Sequence, residues 1–167
     1  PDTWRALVDA QGAVVAYWQI AALKPAEYAR ARQGLLHPTD LSADAYEPLT
    51  RPGRYDLYFA SVCIAPEWRK PATYWRLFDA LFEVAENLAR AGVYFDEMSA
   101  TAHSIDGRQM CLAFGLEYLG LAPDHGECFA GPFRSVIERM LPMLARRRPG
   151  LLGLYGVAAD AKRGPDA

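Results

Sequence analysis

The groups best suited to moving a proton near neutral pH are imidazoles and thiols. This sequence places one of each close together, His103 and Cys111. An imidazole, with a reference pKa of about 6.5, suits taking a proton near neutrality, and a thiol, at about 8.5, can give one up. Each has a plainer reading. Cys111 lies among Met110, Leu112 and Phe114, where a thiol usually serves as a small buried hydrophobe. His103 precedes Ser104, a residue type that caps helices, and a histidine at such a junction is often structural or solvated. Arg69 and Lys70 stand just before an amphipathic segment. Ahead of a helix N-terminus they could hold an anion, or they could simply be solvated. His125 and Cys128 are three apart with no second ligand pair nearby, so no metal is expected. The cluster Trp68, Tyr74, Trp75 and Phe78 reads as core or interface. No phosphate-binding glycine loop, dinucleotide fingerprint or Ser-His-Asp pattern is present.

The elements that must position these residues can be read from periodicity. Trp4–Val8 and Val14–Ile20 read as a hairpin around Gln11-Gly12. Pro25 can open a short helix and Gly34 can close it. Residues 37–53, with three prolines, read as a loop. Tyr55–Ala65 is apolar on both faces, which marks a central strand. After a loop from Pro66 to Thr73, the spacing of Leu77, Leu81, Val84 and Leu88 predicts a helix over 74–91, with Gly92 at its end. Val93–Ala102 reads as a strand, and Ser104 caps a helix to Phe114. Glu117–Leu121 and Glu127–Ala130 read as short strands. Pro132–Arg148 reads as a helix that Pro142 kinks or ends. The order strand, helix, strand, helix from 55 to 114 implies a parallel pair within a mixed sheet, an α/β (α+β) fold. Ligands in such sheets favour the carboxyl ends of the parallel strands, here 65–74 and 101–104. Residues 1–148 read as one domain, and 149–167 as a partly disordered tail.

Composition narrows the class. With 167 residues and 51% apolar content, one domain can bury a core without disulfides. Three scattered cysteines suggest free thiols, hence a reducing, cytoplasmic setting. A net charge of −2 offers no general attraction to nucleic acid or anionic lipid. No apolar run approaches the roughly eighteen residues a membrane span needs. Only three of the basic residues are lysines, a bias that resembles GC-rich bacterial composition.

Two stretches resemble the signatures of the GNAT acyltransferase superfamily. The first is Cys63-Ile64-Ala65-Pro66-Glu67-Trp68-Arg69 ahead of an amphipathic helix. The second runs from Ala102-His103-Ser104 to Phe114-Gly115-Leu116-Glu117-Tyr118. The resemblance covers residues 4–140 and implies a mixed, mostly antiparallel, twisted sheet with a central splayed parallel pair and helices on both faces. The hairpin would be the family's second and third strands. Its first strand and two helices would lie before Pro1, so an upstream piece is expected. In such folds the pantetheine arm of acyl-CoA lies between the splayed strands, bonded by backbone near Ile64. The loop and helix start after it cradle the pyrophosphate. The resemblance therefore implies a cofactor-binding set of Ile64, Ala65, Arg69, Lys70, Ala72, Thr73, Tyr74 and Ser104.

This sequence departs from the pattern. Ala72 and Tyr74 stand where glycines belong, and Pro71 lacks an N–H. The tyrosine that often protonates the leaving thiolate is replaced by Cys111. Tyr58 occupies the position of the usual glutamate base, with Asp56 two residues earlier on the same face and His103 as the other candidate. The expected activity is transfer of an acyl group, acetyl by default, from a CoA thioester to a small-molecule or protein amine. A donor borne on acyl carrier protein would miss the glycines least. The rival reading is an inactive GNAT-like module that binds a ligand, an upstream domain or a second copy of itself. An open slot faced by Cys111 favours the enzyme, and a slot filled by Tyr58 or Tyr74 favours the module.

Overall fold

From Ala16 to Ile20 buried and exposed residues alternate, and this alternation marks a strand, Val14–Ala22, with one face on a core. In the computed structural model, which describes residues 3–36 and 41–156, this strand (β2) pairs antiparallel with β1 (Trp4–Val8). The Asp9 carboxylate closes the turn by accepting from the amides of Gln11 and Ala13, both at 2.9 Å. Helix α1 (Pro25–Arg32) follows, with Pro25 in its first turn. Gly34 then adopts φ +66°, and a Cβ there would stand 2.3 Å from the Ala122 Cβ, so both its torsion and its neighbour exclude a side chain.

Strand β3 (Gly53–Ile64) begins two residues before the predicted Tyr55. Pro66–Trp68 forms a single 3-10 turn, and α2 (Pro71–Arg90) begins three residues before the predicted start at Tyr74. Pro71 opens the helix rather than prolonging the loop, because a missing N–H costs nothing in a first turn. Strand β4 (Val93–Ala102) leads to α3 (Ile105–Ala113), where the Ser104 hydroxyl accepts from Gly107 N at 3.1 Å. Strands β5 (Glu117–Leu121) and β6 (Glu127–Pro132) come next. The single helical pattern from Pro132 divides at Met140 into α4 (Phe133–Arg139) and α5 (Leu141–Arg147), with Pro142 in the first turn of the second. Residues expected in the tail form α6 (Pro149–Leu154), whose Leu151 and Leu152 are buried. The packed unit therefore extends past 148. Tyr155 secures it by accepting from Phe95 N at 2.9 Å. The expected disorder beyond Val157 lies outside the described residues.

The sheet runs β1-β2-β3-β4-β6-β5, and only β3 and β4 are parallel. Helix α2 and the helices after it cover one face with an apolar core built on Trp18, Leu57, Phe59, Phe95, Met98, Leu77, Leu81 and Phe82. Trp18, wholly buried, donates its indole N–H to Leu77 O at 2.9 Å. Arg148 fixes the α5–α6 junction to α2 through Asp79 at 3.2 Å and Glu83 at 3.0 Å. On the opposite face α1 packs over Ala21 and Tyr58 through Tyr28 and Ala31.

Candidate active site

The parallel pair stops pairing after Phe59 and Ala100. Beyond that point β3 bonds only to β2, and β4 only to β6. The strands part there and leave a slot. A cavity of about 220 Å³ occupies it, lined by Ser61 and Val62 from β3, Thr101 from β4, and His103, Met110 and Cys111 beyond. A second space of about 130 Å³ continues it outward past Ile64, Arg69, Tyr74 and Asp106. The two share Val62, Ser104, Gly107 and Met110, so they form one passage.

Hydrogen bonding on β3 decides what its backbone offers this passage. Ala65 N donates to Val15 O at 2.9 Å, so residues 65, 63 and 61 turn their polar groups towards β2. By alternation, Val62 and Ile64 turn theirs into the gap. The Ile64 carbonyl is taken by Arg69 Nε at 3.2 Å. The amides of Val62 and Ile64 thus face the slot, where an oxyanion or an amide carbonyl could accept from them.

The mouth differs from the expectation. Of residues 66–74, two are prolines. Five others spend their amides locally: Trp68 on Ala65 O, Arg69 on Pro66 O, Lys70 on Trp68 O, and Thr73 and Tyr74 on Lys70 O. A pyrophosphate cradle needs such amides turned outward. Arg69 lies 3.3 Å from Asp106 of α3, so its charge already has a partner. Of the expected cofactor-binding set, the passage is lined by Ile64, Arg69, Tyr74 and Ser104. Ala65, Lys70, Ala72 and Thr73 do not line it.

The four expected catalytic residues separate into two pairs. His103 and Cys111 both line the slot. The His103 imidazole is more than half exposed and stands 4.0 Å from the Asp124 carboxylate. Cys111 is buried, and burial pushes its thiol up to about 12. Tyr58 and Asp56 lie elsewhere. Tyr58 is buried on the α1 face, where it meets Thr101 and its phenol is raised by loss of solvation. It neither fills the slot nor forms a base at neutral pH. Asp56 sits at the irregularity between Tyr55 and Leu57, three residues before the strands part. Burial raises its carboxyl, with Asp96 adding to the shift.

Ser61, Val62, Thr101, Gly107 and Met110 also line the slot and carry no catalytic signal of their own. Gly107 had one clue. A glycine in the first turn of a helix is a poor choice unless something approaches, and a Cβ there would stand 3.3 Å from Ser104 Oγ and 3.5 Å from Ala102 Cβ.

No protein-family model matches the chain, and no curated protein matches it significantly in sequence. Solved structures do match in shape. A bacterial toxin aligns over 82% of this chain and 70% of its own, with 14% identity and a TM-score of 0.52. Looser likenesses include AtaTR bound with acetyl-CoA (9% identity, 78% and 66% of the two chains, TM-score 0.47). Another is Naa20 of Chaetomium thermophilum in complex with a bisubstrate analogue (12%, 83% and 70%, TM-score 0.47). The likeness to the toxin is one of fold.

Proposed function

From the premise that the chain has a divergent GNAT fold, we propose that it is an acyltransferase moving an acyl group from a thioester to an amine. The observation that carries this reading is the slot itself: it opens where the β3–β4 pairing stops, and both His103 and Cys111 line it. The thiol arm of the donor lies along β3, and the amine attacks the carbonyl carbon directly. The C–N bond forms first, giving a tetrahedral oxyanion, and the C–S bond then breaks to release the thiolate. The inward amide of Val62 stabilises the oxyanion between these events, and that of Ile64, nearer the mouth, is left for the thiol arm. His103 takes the proton that the attacking nitrogen sheds. Asp56 and Tyr58 have no part in this step.

Cys111 plays a smaller role than its place in the motif implies. A thiol held near 12 would give its proton to a thiolate of ordinary basicity, about 8.5, against a gradient of roughly three pKa units. It lines the slot as a neutral thiol, and the departing thiolate is protonated from the mouth.

A second reading concerns the donor. With five amides of residues 66–74 bonded internally and Arg69 paired to Asp106, the mouth favours a thioester without adenosine diphosphate, such as phosphopantetheine on acyl carrier protein. Acetyl-CoA, acetyl-pantetheine and an acetylated carrier protein, each assayed with a panel of amines by release of free thiol, test both readings. Transfer from any of them supports the acyltransferase. Acetyl-pantetheine reacting within about threefold of acetyl-CoA supports the nucleotide-free donor, because a used cradle would be worth tenfold or more. No thiol release from any donor with any amine overturns the acyltransferase and returns the chain to a binding module.

A further inference from the structure

Helix α1 is held to the sheet by little. Of its eight residues only Tyr28 and Ala31 are buried, against nine of the twenty in α2. One of those two carries a polar atom that the interface leaves idle. The Tyr28 and Ser99 hydroxyls lie together under the helix, both in buried residues, and neither makes a well-formed hydrogen bond. Nε of Arg32 is likewise buried without a partner. Among the described residues, every buried side-chain atom lacking a partner thus belongs to this one interface. Each forfeits its hydration while the helix is down and regains it when the helix lifts. The ion pair of Arg32 with Glu97 of β4 is 3.4 Å long and partly exposed, and such pairs hold little.

The layer under α1 borders the slot. Ala60 lines the slot and also packs against the cluster of Tyr28, Ala31 and Tyr58. Thr101 lines it too, and meets both Tyr58 and Cys128 on the α1 face. On its other side the passage leads out past Ile64, Arg69 and Tyr74. A thioester arm lying along β3 fills that exit, so an amine that meets a bound donor needs a second way in.

We infer that α1 is a lid on this side of the slot, lifting as a unit while the rest of the domain stays folded, and that lifting admits the acceptor amine. The motion stands on the packing of α1 alone, and its role rests on the acyl-transfer reading proposed above. Lifting uncovers few apolar groups and hydrates three idle polar atoms, so it costs far less than global unfolding. It widens the slot at Ala60 and Thr101, on the side away from the mouth.

Hydrogen exchange on the intact chain, read amide by amide, tests the lid. Residues 28–32 are expected to exchange through one shared opening, at least about 100-fold more populated than the opening that exposes residues 81–85 of α2. Tyr28→Phe combined with Ser99→Ala removes both idle hydroxyls without adding bulk, so protection of residues 28–32 should rise at least about fivefold. Slow exchange at residues 81–85 shows that the double variant is folded. Residues 28–32 exchanging no faster than 81–85, or protection unchanged or weakened in the double variant, overturns the lid. Thiol release then tests its role. In the double variant kcat/KM for the amine should fall by the factor that protection gains, with the KM of the thioester unchanged, because only the open fraction admits the amine. An unchanged kcat/KM for the amine overturns the gate. No thiol release from any thioester brings down the transfer reading, and the exchange result still decides whether α1 lifts.

Discussion

The two faces of the sheet are built on opposite principles. Between β2–β4 and α2 almost every contact is apolar, and the one polar group of Trp18 is satisfied by Leu77 O. Under α1 the same strands present Asp56, Tyr58, Glu97, Ser99 and Thr101, with Cys128 from β6, and the Ser99 hydroxyl lacks a good partner, as do the Tyr28 hydroxyl and Arg32 Nε of α1 facing them. Both faces share one backbone, since neighbouring residues of a strand point opposite ways. Phe59 and Ala100 serve the core while Tyr58 and Ser99 serve the other side. The first face holds the fold together. The second carries hydrogen-bonding capacity that folding leaves unused, and it adjoins the slot. Unused capacity next to a slot is what a binding surface requires and what a structural core avoids.

The largest test of this contrast lies in the apolar face. Phe82 is wholly buried and packs its ring edge-on to Phe114 at 6.5 Å. Phe82→Ala should cost about 3–5 kcal/mol in chemical denaturation, since cavity and lost transfer energy add. A loss below about 1 kcal/mol would show that this face is not the one that holds the fold.

The next effect should appear in turnover alone. His103 lies at the end of β4, and its imidazole is more than half exposed. His103→Ala should lower kcat by about 100-fold, the usual worth of a general base, with the melting temperature unchanged. Turnover within threefold of the parent would move the proton acceptor to water or to Asp124.

Third comes a change in the opposite direction. Ser99 is buried with an unpartnered hydroxyl, so Ser99→Ala should leave stability equal or raise it by up to about 1 kcal/mol. A loss of similar size would mean that Ser99 and Tyr28 share a sound hydrogen bond in solution, and the face would be less idle than it looks.

The apolar face was also the more legible in the sequence. The spacing of Leu77, Leu81, Val84 and Leu88 announces a helix, and apolar Tyr55–Ala65 announces a central strand, because burial on one side imposes a period. The slot was legible at His103 and Cys111, where a strand ends and a capped helix runs on. The mouth was not. Pro71 reads equally as loop or first helical turn, and only the structure shows that the amides after it turn inward. Asp56 and Tyr58 lie away from the slot for a related reason. Position along β3 fixes the face, but the point where pairing fails fixes the slot, and no residue type marks where two strands part. Residues 149–154 show little periodicity, yet Leu151 and Leu152 pack into the core, because a helix of a turn and a half is too short to declare a period.

The smallest effect is a matter of pH. Asp56 is partly buried, and its carboxyl is raised first by that burial and then by Asp96, with Arg32 acting the other way. A raised carboxyl binds its proton more readily folded than unfolded. Stability attributable to Asp56 is therefore gained as pH falls from neutrality through the folded value towards the ordinary carboxylate range, and is lost as pH rises. Asp56→Asn removes the charge at every pH. The variant should melt slightly above the parent at pH 7, and the difference should shrink steadily towards pH 4. A parent that melts higher at pH 7 would reverse the sign and show that Arg32 outweighs burial. The polar stripe would then be a paired network, and the contrast between the two faces would narrow to the unpartnered hydroxyls of Tyr28 and Ser99.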